Sequence, residues 1–337
     1  MKNECLIDWL RFSVPLSTIS HVIENILGLD YSKFTEAKSS PFPTYEKRLL
    51  FAKMEIHSSS QHSNILVNFS GQACRQYEEY MTATDGWHWH ELIKVIILER
   101  AKVSRIDLAL DIFDNSCPDV RKLQDYVKRG QLSSRSQTFK EINSGRILDG
   151  VLTGFTIYIG ALPQMLRVYD KKQEVKHNTG EMISGEKWVR WELELSDKKA
   201  MDVAKQIATA KPLNTIIRGI LSAHYAFKTQ PKGKKDFANK SRWSNMKWWD
   251  KFIENIPKIP LRTEKEKSTM VEKEKWLQDG VSRSLAMQFE TYTRAYGEDY
   301  ANKYLATLIT HGHYNISKQD ESMIEQRVNE LLGSKDY

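Results

Sequence analysis

Three stretches of this chain alternate residue by residue between apolar and charged side chains, and that period of two constrains the fold more than any other feature. In residues 104–113, Ile106, Leu108, Leu110 and Ile112 point one way, and Arg105, Asp107, Ala109 and Asp111 the other. In residues 188–195, Val189, Trp191, Leu193 and Leu195 oppose Arg190, Glu192 and Glu194. In residues 166–172, Leu166 and Val168 oppose Arg167, Tyr169 and Lys171. Such alternation belongs to a half-buried strand. A charged outer face is ordinary on any single strand. Three of one design, each with an arginine ahead of acids or a tyrosine, predict a shared polar face with chemistry on it.

From residue 7 to 195 the sequence alternates short β-like runs with amphipathic stretches, at 8–14, 49–57, 64–69, 91–101, 105–113, 120–129, 155–159, 166–171 and 189–195. This predicts an α+β fold: an antiparallel sheet with helices on one side and the other side open to a large ligand. Beyond 195 the apolar spacing is helical, at 196–210, 213–226, 270–278 and 282–309. The expected division is a sheet domain over 1–196 and a mainly helical region over 197–337. Residues 228–235 read as a basic loop, and its Lys232, Lys234 and Lys235 are candidates for phosphate contacts with duplex DNA. Residues 262–275 read as a solvated helix or linker, and no internal repeat is evident in the sequence.

The balance of charge bears on the ligand. Fifty Lys and Arg against 43 Asp and Glu give a net charge of +7 over 337 residues, which favours a polyanionic partner such as DNA. With 28% charged residues, 40% hydrophobic residues and a mean hydropathy of −0.54, the chain reads as globular rather than disordered. No run approaches the roughly 18 apolar residues of a membrane span, and no apolar leader opens the sequence, so a cytoplasmic setting without membrane contact is expected. Cys5, Cys74 and Cys117 are too few and too scattered for a disulfide framework or a thiolate metal cage.

A tyrosine on a basic edge can attack a phosphodiester, but phenol ionises near pH 10. Only about one part in a thousand is phenolate at neutral pH, which costs roughly 4 kcal/mol in the barrier. A divalent cation held by carboxylates offsets that cost by polarising the phosphate, and Mg²⁺ or Mn²⁺ suits oxygen-only ligands. Asp107 and Glu192, with Asp111 or Glu194, are the candidate ligands. Arg105, Arg167, Arg190, Lys171 and Lys172 are candidates for neighbouring phosphates, although each could equally pair with the acids. His88 and His90 match a histidine-hydrophobic-histidine metal signature, but they open a run with helical spacing through Leu92, Val95 and Ile96. Residues two apart on a helix point about 200° apart, which disfavours chelation. His311 and His313 have no acids nearby in sequence. The tryptophans at 243, 248 and 249 could stack bases, but Trp248 and Trp249 lead into Phe252 and Ile253 at helical spacing, which favours packing.

Taken together, Asp8-Trp9-Leu10, Ser70-Gly71-Gln72-Ala73-Cys74-Arg75, residues 105–111, residues 158–171 and Arg190-Trp191-Glu192-Leu193 resemble, in that order, the Rep_trans replication initiators of rolling-circle plasmids. Relatives of that family act as relaxases of integrative conjugative elements. The resemblance spans residues 7–196. It implies a metal-dependent enzyme that nicks one DNA strand at a double-strand origin, leaving a 5′-phosphotyrosine link and a 3′-hydroxyl primer. It maps the nucleophile onto Tyr169, within an Arg-hydrophobic-Tyr-Asp-Lys segment that also holds Arg167 and Lys171, and the metal-serving acids onto Asp107 and Glu192. It also implies a homodimer and a host helicase as partner, and the change to helical spacing after residue 196, with the basic loop, leaves origin recognition to the helical region. The turn after Gly160 departs from the family, reading Ala161-Leu162-Pro163-Gln164-Met165. A conjugative relaxase and a non-catalytic DNA-binding regulator are the rival readings.

Overall fold

The alternating stretches become the middle of one ten-stranded antiparallel sheet. In the computed structural model, residues 3–60, 63–82, 87–179, 187–231, 240–254, 256–261 and 270–333 are described. The strands are β1 (Glu4–Pro15), β2 (Thr35–Ala37), β3 (Lys47–Phe51), β4 (Met54–Ser58), β5 (Asn64–Phe69), β6 (Lys102–Ile112), β7 (Leu132–Ser134), β8 (Phe139–Gly145), β9 (Leu152–Ala161), β10 (Gln164–Asp170), β11 (Val189–Ser196) and β12 (Tyr225–Phe227). Their order is β2-β3-β4-β5-β1-β6-β11-β10-β9-β8, while β7 and β12 form a separate ladder. The predicted run over 49–57 is in fact a hairpin. It turns at Ala52, whose φ of 53° lies in the left-handed region.

That order contains a repeat that the sequence does not show. Outward from the centre, one half reads β1, β5, β4, β3, β2 and the other β6, β11, β10, β9, β8. Every neighbouring pair is antiparallel, including the central β1 and β6. In each half a helical segment follows the first strand: a π-helical turn at His21–Ile26 after β1, and the helix Val120–Lys128 after β6. The two halves are thus topological counterparts, with β4 standing where β10 stands.

The apolar sides of these strands pack under helices. They are α1 (Gly71–Thr82), α2 (Trp89–Leu98), α3 (Val120–Lys128), α5 (Asp197–Ala208), α6 (Leu213–His224) and α7 (Lys247–Ile253), whereas α4 (Lys171–Thr179) follows β10 and borders the Tyr169 side chain. Trp191 is fully buried. Its ring lies 5.0 Å from Phe252, 5.9 Å from Trp249 and 6.1 Å from Phe227. The tryptophan cluster is therefore core, as the spacing suggests.

Helices α5 to α7 belong to the same compact unit as the sheet. Their apolar stripes, including Val203 and Ile207, Ile216 and Ile220, and Trp249 and Phe252, are buried in the shared core. The compact units accordingly divide between Thr263 and Glu264, where sequence reading places the change at 196/197. Helical spacing reports that a stretch is helical, not which surface it packs against. The second unit contains α8 (Met270–Trp276), α9 (Ser282–Tyr296), α10 (Glu298–His313) and α11 (Lys318–Gly333). Gly297, at φ 90°, breaks the expected helix over 282–309 into α9 and α10. Among its described residues only Ala301 is buried. No helix among the described residues is long and apolar enough to cross a membrane.

One buried histidine makes stability depend on pH. His224 ends α6 in the core, its Nε2 has no hydrogen-bond partner among the described residues, and burial, helped by Lys199 and Arg135, pushes its pKa down to about 4. The unfolded chain protonates this ring near pH 6.5. A depressed folded pKa means full stability above about 6.5 and loss as pH falls toward 4. Lowering the pH from 7 to 5 should cost about 2 kcal/mol through this group. In thermal melts, His224→Gln should lose less stability over that interval than the parent; equal losses would show that His224 does not contribute.

Candidate active site

The polar faces of β1, β6, β11 and β10 converge at the centre of the sheet. Register sets Tyr169 opposite Arg190, Arg167 opposite Glu192, and Glu194 opposite Asp107. The predicted solvated face is in fact a buried ionic network. Asp107, Asp111, Glu192, Glu194, Arg190 and Tyr169 are all buried. Alternation identifies the side of a strand, and neighbouring strands then decide how much water reaches it.

The Tyr169 hydroxyl donates a hydrogen bond to Glu192 Oε2 at 2.9 Å. Arg167 pairs with the other oxygen of Glu192 and also reaches Asp107 at 3.3 Å and Glu194 at 3.5 Å. Its Nε is buried without a partner, so the guanidinium keeps a donor for a further acceptor. Arg105 grips Asp107 through two nitrogens, at 3.0 and 2.6 Å, and lies 3.3 Å from Glu194. Lys171 sits 5.6 Å from the Tyr169 ring centre and pairs with Glu174.

A further acid, which the sequence reading did not single out as a site residue, completes the network. The β1–β6 register slips between Ile7 and Trp9, leaving Asp8 as the extra residue of a β-bulge. Arg190 binds Asp8 at 3.0 Å and grips Asp111 at 2.7 and 2.6 Å. Arg190 thus holds two carboxylates behind Tyr169 rather than facing solvent as a phosphate contact. Gly71, at the start of α1, leaves room for this arrangement, since a Cβ there would lie 3.1 Å from Asp8 Oδ1. The signal was present in Asp8-Trp9-Leu10, but a bulge is a property of pairing that one strand does not reveal.

Burial dominates the electrostatics. It raises the Tyr169 pKa above the ordinary phenol range, and the neighbouring Glu192 adds to that rise. Burial also lifts Glu192 to about 7, with Asp8 and Asp107 pushing the same way against the opposing effect of Arg167. Asp107 is raised by burial despite Arg105. Asp107 raises Glu192 by like charge, and Arg167, which pairs with both, offsets that repulsion.

The donors are all oxygens, and Mg²⁺ is commonly held by one or two carboxylates with water and phosphate completing its shell. Asp107 and Glu192 fit that requirement chemically. All four acids are engaged, Asp111 by Arg190, Glu194 by Arg105 and Arg167, Asp107 by the same two arginines and Glu192 by Arg167 and Tyr169, so a cation would have to displace an arginine from whichever of them it took as ligands. Among the described residues no group of three or more histidine, cysteine or acidic side chains could hold a metal by itself.

The remaining candidates lie elsewhere. His88 is the N-cap of α2 in a capping box with Glu91, and its ring stacks on His90 at 5.7 Å. His311 and His313 lie in the last turn of α10. Lys172 is in the first turn of α4. Lys232, Lys234 and Lys235 lie outside the described residues. Tyr158 pairs across from Arg167 and lines a cleft of about 150 Å³ with Tyr169, Arg167, Thr156, Gln173 and Glu174.

Comparison with known proteins gives this geometry a context. A family profile described as replication initiation factor matches residues 101–309, and one described as rolling circle replication initiation protein N-terminal domain matches residues 4–95. The putative DNA relaxase NicK of Bacillus subtilis (strain 168) is 24% identical over 294 residues, covering 85% of this chain and 80% of that protein. The solved rolling circle replication initiator protein from Geobacillus stearothermophilus superposes with a TM-score of 0.66 at 25% identity, covering 78% of this chain and 100% of that one.

Proposed function

The chain belongs to the replication initiation factor family, and from that premise we propose that it nicks one DNA strand at a rolling-circle origin through Tyr169. The observation that carries this reading is the Tyr169 hydroxyl hydrogen-bonded to Glu192 in the middle of a buried acid–arginine network.

Tyr169 Oη attacks the scissile phosphorus. Its proton passes to Glu192 Oε2, which already accepts it as a hydrogen bond. The bond from phosphorus to the 3′-oxygen breaks, and that oxygen takes up a proton to leave as a 3′-hydroxyl primer. The 5′-phosphate stays on the tyrosine as an ester, which conserves the bond for later rejoining. Arg167, with its unpartnered Nε, and Lys171 beside the ring supply positive charge for the phosphate. Arg190 fixes Asp8 and Asp111 behind the nucleophile. Mg²⁺ or Mn²⁺, held by Asp107 and Glu192, would supply Lewis-acid stabilisation of the charge that develops on the phosphate.

The second unit is the part we assign to origin recognition and to pairing of two copies. It exposes Trp276, Met287, Ile309 and Leu332 while burying little of its own, so it has apolar surface to offer a partner. A host helicase would then unwind the duplex from the nick while the 3′-hydroxyl primes synthesis. The three free cysteines suit a reducing cytoplasm. The likeness to NicK favours, as a second reading, the same chemistry in conjugative transfer.

Incubation of supercoiled origin plasmid with the protein and Mg²⁺ should give nicked circles carrying covalently attached protein, and chelation with EDTA should stop the reaction. Binding without any nick under Mg²⁺ or Mn²⁺ would instead identify a regulator that uses the sheet without catalysis.

A further inference from the structure

The half of the sheet without the tyrosine presents its own polar face beside the site. Its β4 is the counterpart of β10, and near the strand end Glu55 and His57 occupy the places of Arg167 and Tyr169. The region nearest the site is a ladder of flat groups. The Arg105 guanidinium lies 4.2 Å from the Trp9 ring centre, and Arg11 lies 5.6 Å from Trp9 and 4.8 Å from Phe42.

All four ladder residues are half-buried rather than sealed. The ladder is held rigidly, because Trp9 Nε1 and Arg11 Nε both donate to Asn68 Oδ1, at 3.0 and 2.9 Å. Asn68 in turn donates to Glu55 at 3.0 Å, and Glu55 pairs with Arg48. Arg105 begins the ladder while gripping Asp107, so the planes lead directly away from the acids around Tyr169. Two guanidinium groups thus lie within reach of one indole. Burial and then the like charge of Arg105 push Arg11 below its usual pKa, with Asp107, Glu55 and Glu194 acting the other way.

Alternating aromatic and guanidinium planes suit unstacked bases, with the cations taking the phosphates between them. We propose that the Arg105–Trp9–Arg11–Phe42 ladder is a binding platform for the single strand leading away from the scissile phosphate. Its bases pack on Trp9 and Phe42, and its phosphates meet Arg11 and Arg105. This assignment rests on the nicking role of Tyr169 for its direction.

The test uses the full chain without added metal and dye-labelled oligothymidylates of about six and about sixteen nucleotides, lengths that bracket one single-strand site. Fluorescence anisotropy should show tighter binding of the longer probe, and Trp9→Ala or Phe42→Ala should each cut that gain about tenfold. Trp9→Phe, which keeps a smaller aromatic plane and loses the bond to Asn68, should retain most of the gain. Arg11→Gln should lower the salt slope by about one. Phe42 lies in the loop before β3, so its variant remains informative if Trp9→Ala fails to fold. A gain that survives both alanine variants, or that Trp9→Phe removes as fully as Trp9→Ala, overturns the platform. The nicking reading fails separately, by absence of a covalent adduct from the parent chain on origin DNA, and the length-dependent gain remains measurable in that case.

Discussion

Tyr169→Phe should abolish strand cleavage, with a loss of at least about 10⁴-fold because a nucleophile has no substitute. The substitution removes one oxygen from a buried ring and leaves the packing of β10 intact. The vacated hydrogen bond belongs to Glu192, which keeps Arg167 as a partner. Binding of single-stranded DNA should therefore change by less than about threefold, because phosphate contacts come from cations that the substitution does not touch. Denaturing electrophoresis of end-labelled DNA reads the covalent adduct directly. Tyr158 is the competing phenol, since it faces the same cleft one strand away. An adduct that persists in Tyr169→Phe, or a DNA-linked peptide that contains Tyr158, would move the nucleophile to β9.

The parts of this site legible in the sequence are those that depend on one strand at a time. Alternation placed Asp107, Glu192 and Tyr169 on polar faces, and the register brings those faces together. Asp8 was hidden because its position comes from a slip between β1 and β6. The ionic network was hidden for a similar reason. Arg190 reads as a surface cation along its own strand and becomes a buried clamp only when Asp8 and Asp111 arrive from two other segments of the chain. The topological repeat leaves no trace in the sequence because its halves share strand order rather than residues: β4 carries Glu55 and His57 where β10 carries Arg167 and Tyr169. The unit boundary was misplaced because α5 to α7 have the spacing of any amphipathic helix, and only tertiary contact shows that they cover the sheet.

The two acids nearest the tyrosine should fail in different ways, and that difference tests the division of roles between them. Glu192→Gln keeps a carbonyl oxygen for the Tyr169 hydroxyl but has neither a charge nor an appreciable affinity for its proton. Cleavage should fall at least about a hundredfold even at saturating metal. Asp107→Asn keeps the shape of a side chain gripped by Arg105 and Arg167 and weakens it as a cation ligand. Its loss should be of similar size at low metal and recover partly as Mg²⁺ is raised, because weaker binding is offset by concentration. Electron paramagnetic resonance titration with Mn²⁺ measures the same distinction without catalysis: affinity should drop at least about tenfold in Asp107→Asn, as expected when a charged ligand is neutralised. Asparagine and glutamine are preferred to alanine because they keep the side-chain volume and one acceptor oxygen for Arg105 and Arg167; each still removes a charge from a buried ion pair, which costs up to about 3–5 kcal/mol, so thermal melts accompany the cleavage assays. His88→Ala, at the N-cap of α2 and outside this network, should change cleavage by less than about twofold once folding is matched. If His88→Ala and His90→Ala stop cleavage while both acid variants retain it, the metal belongs to the histidines, and the carboxylates around Tyr169 serve only to hold the strands in register.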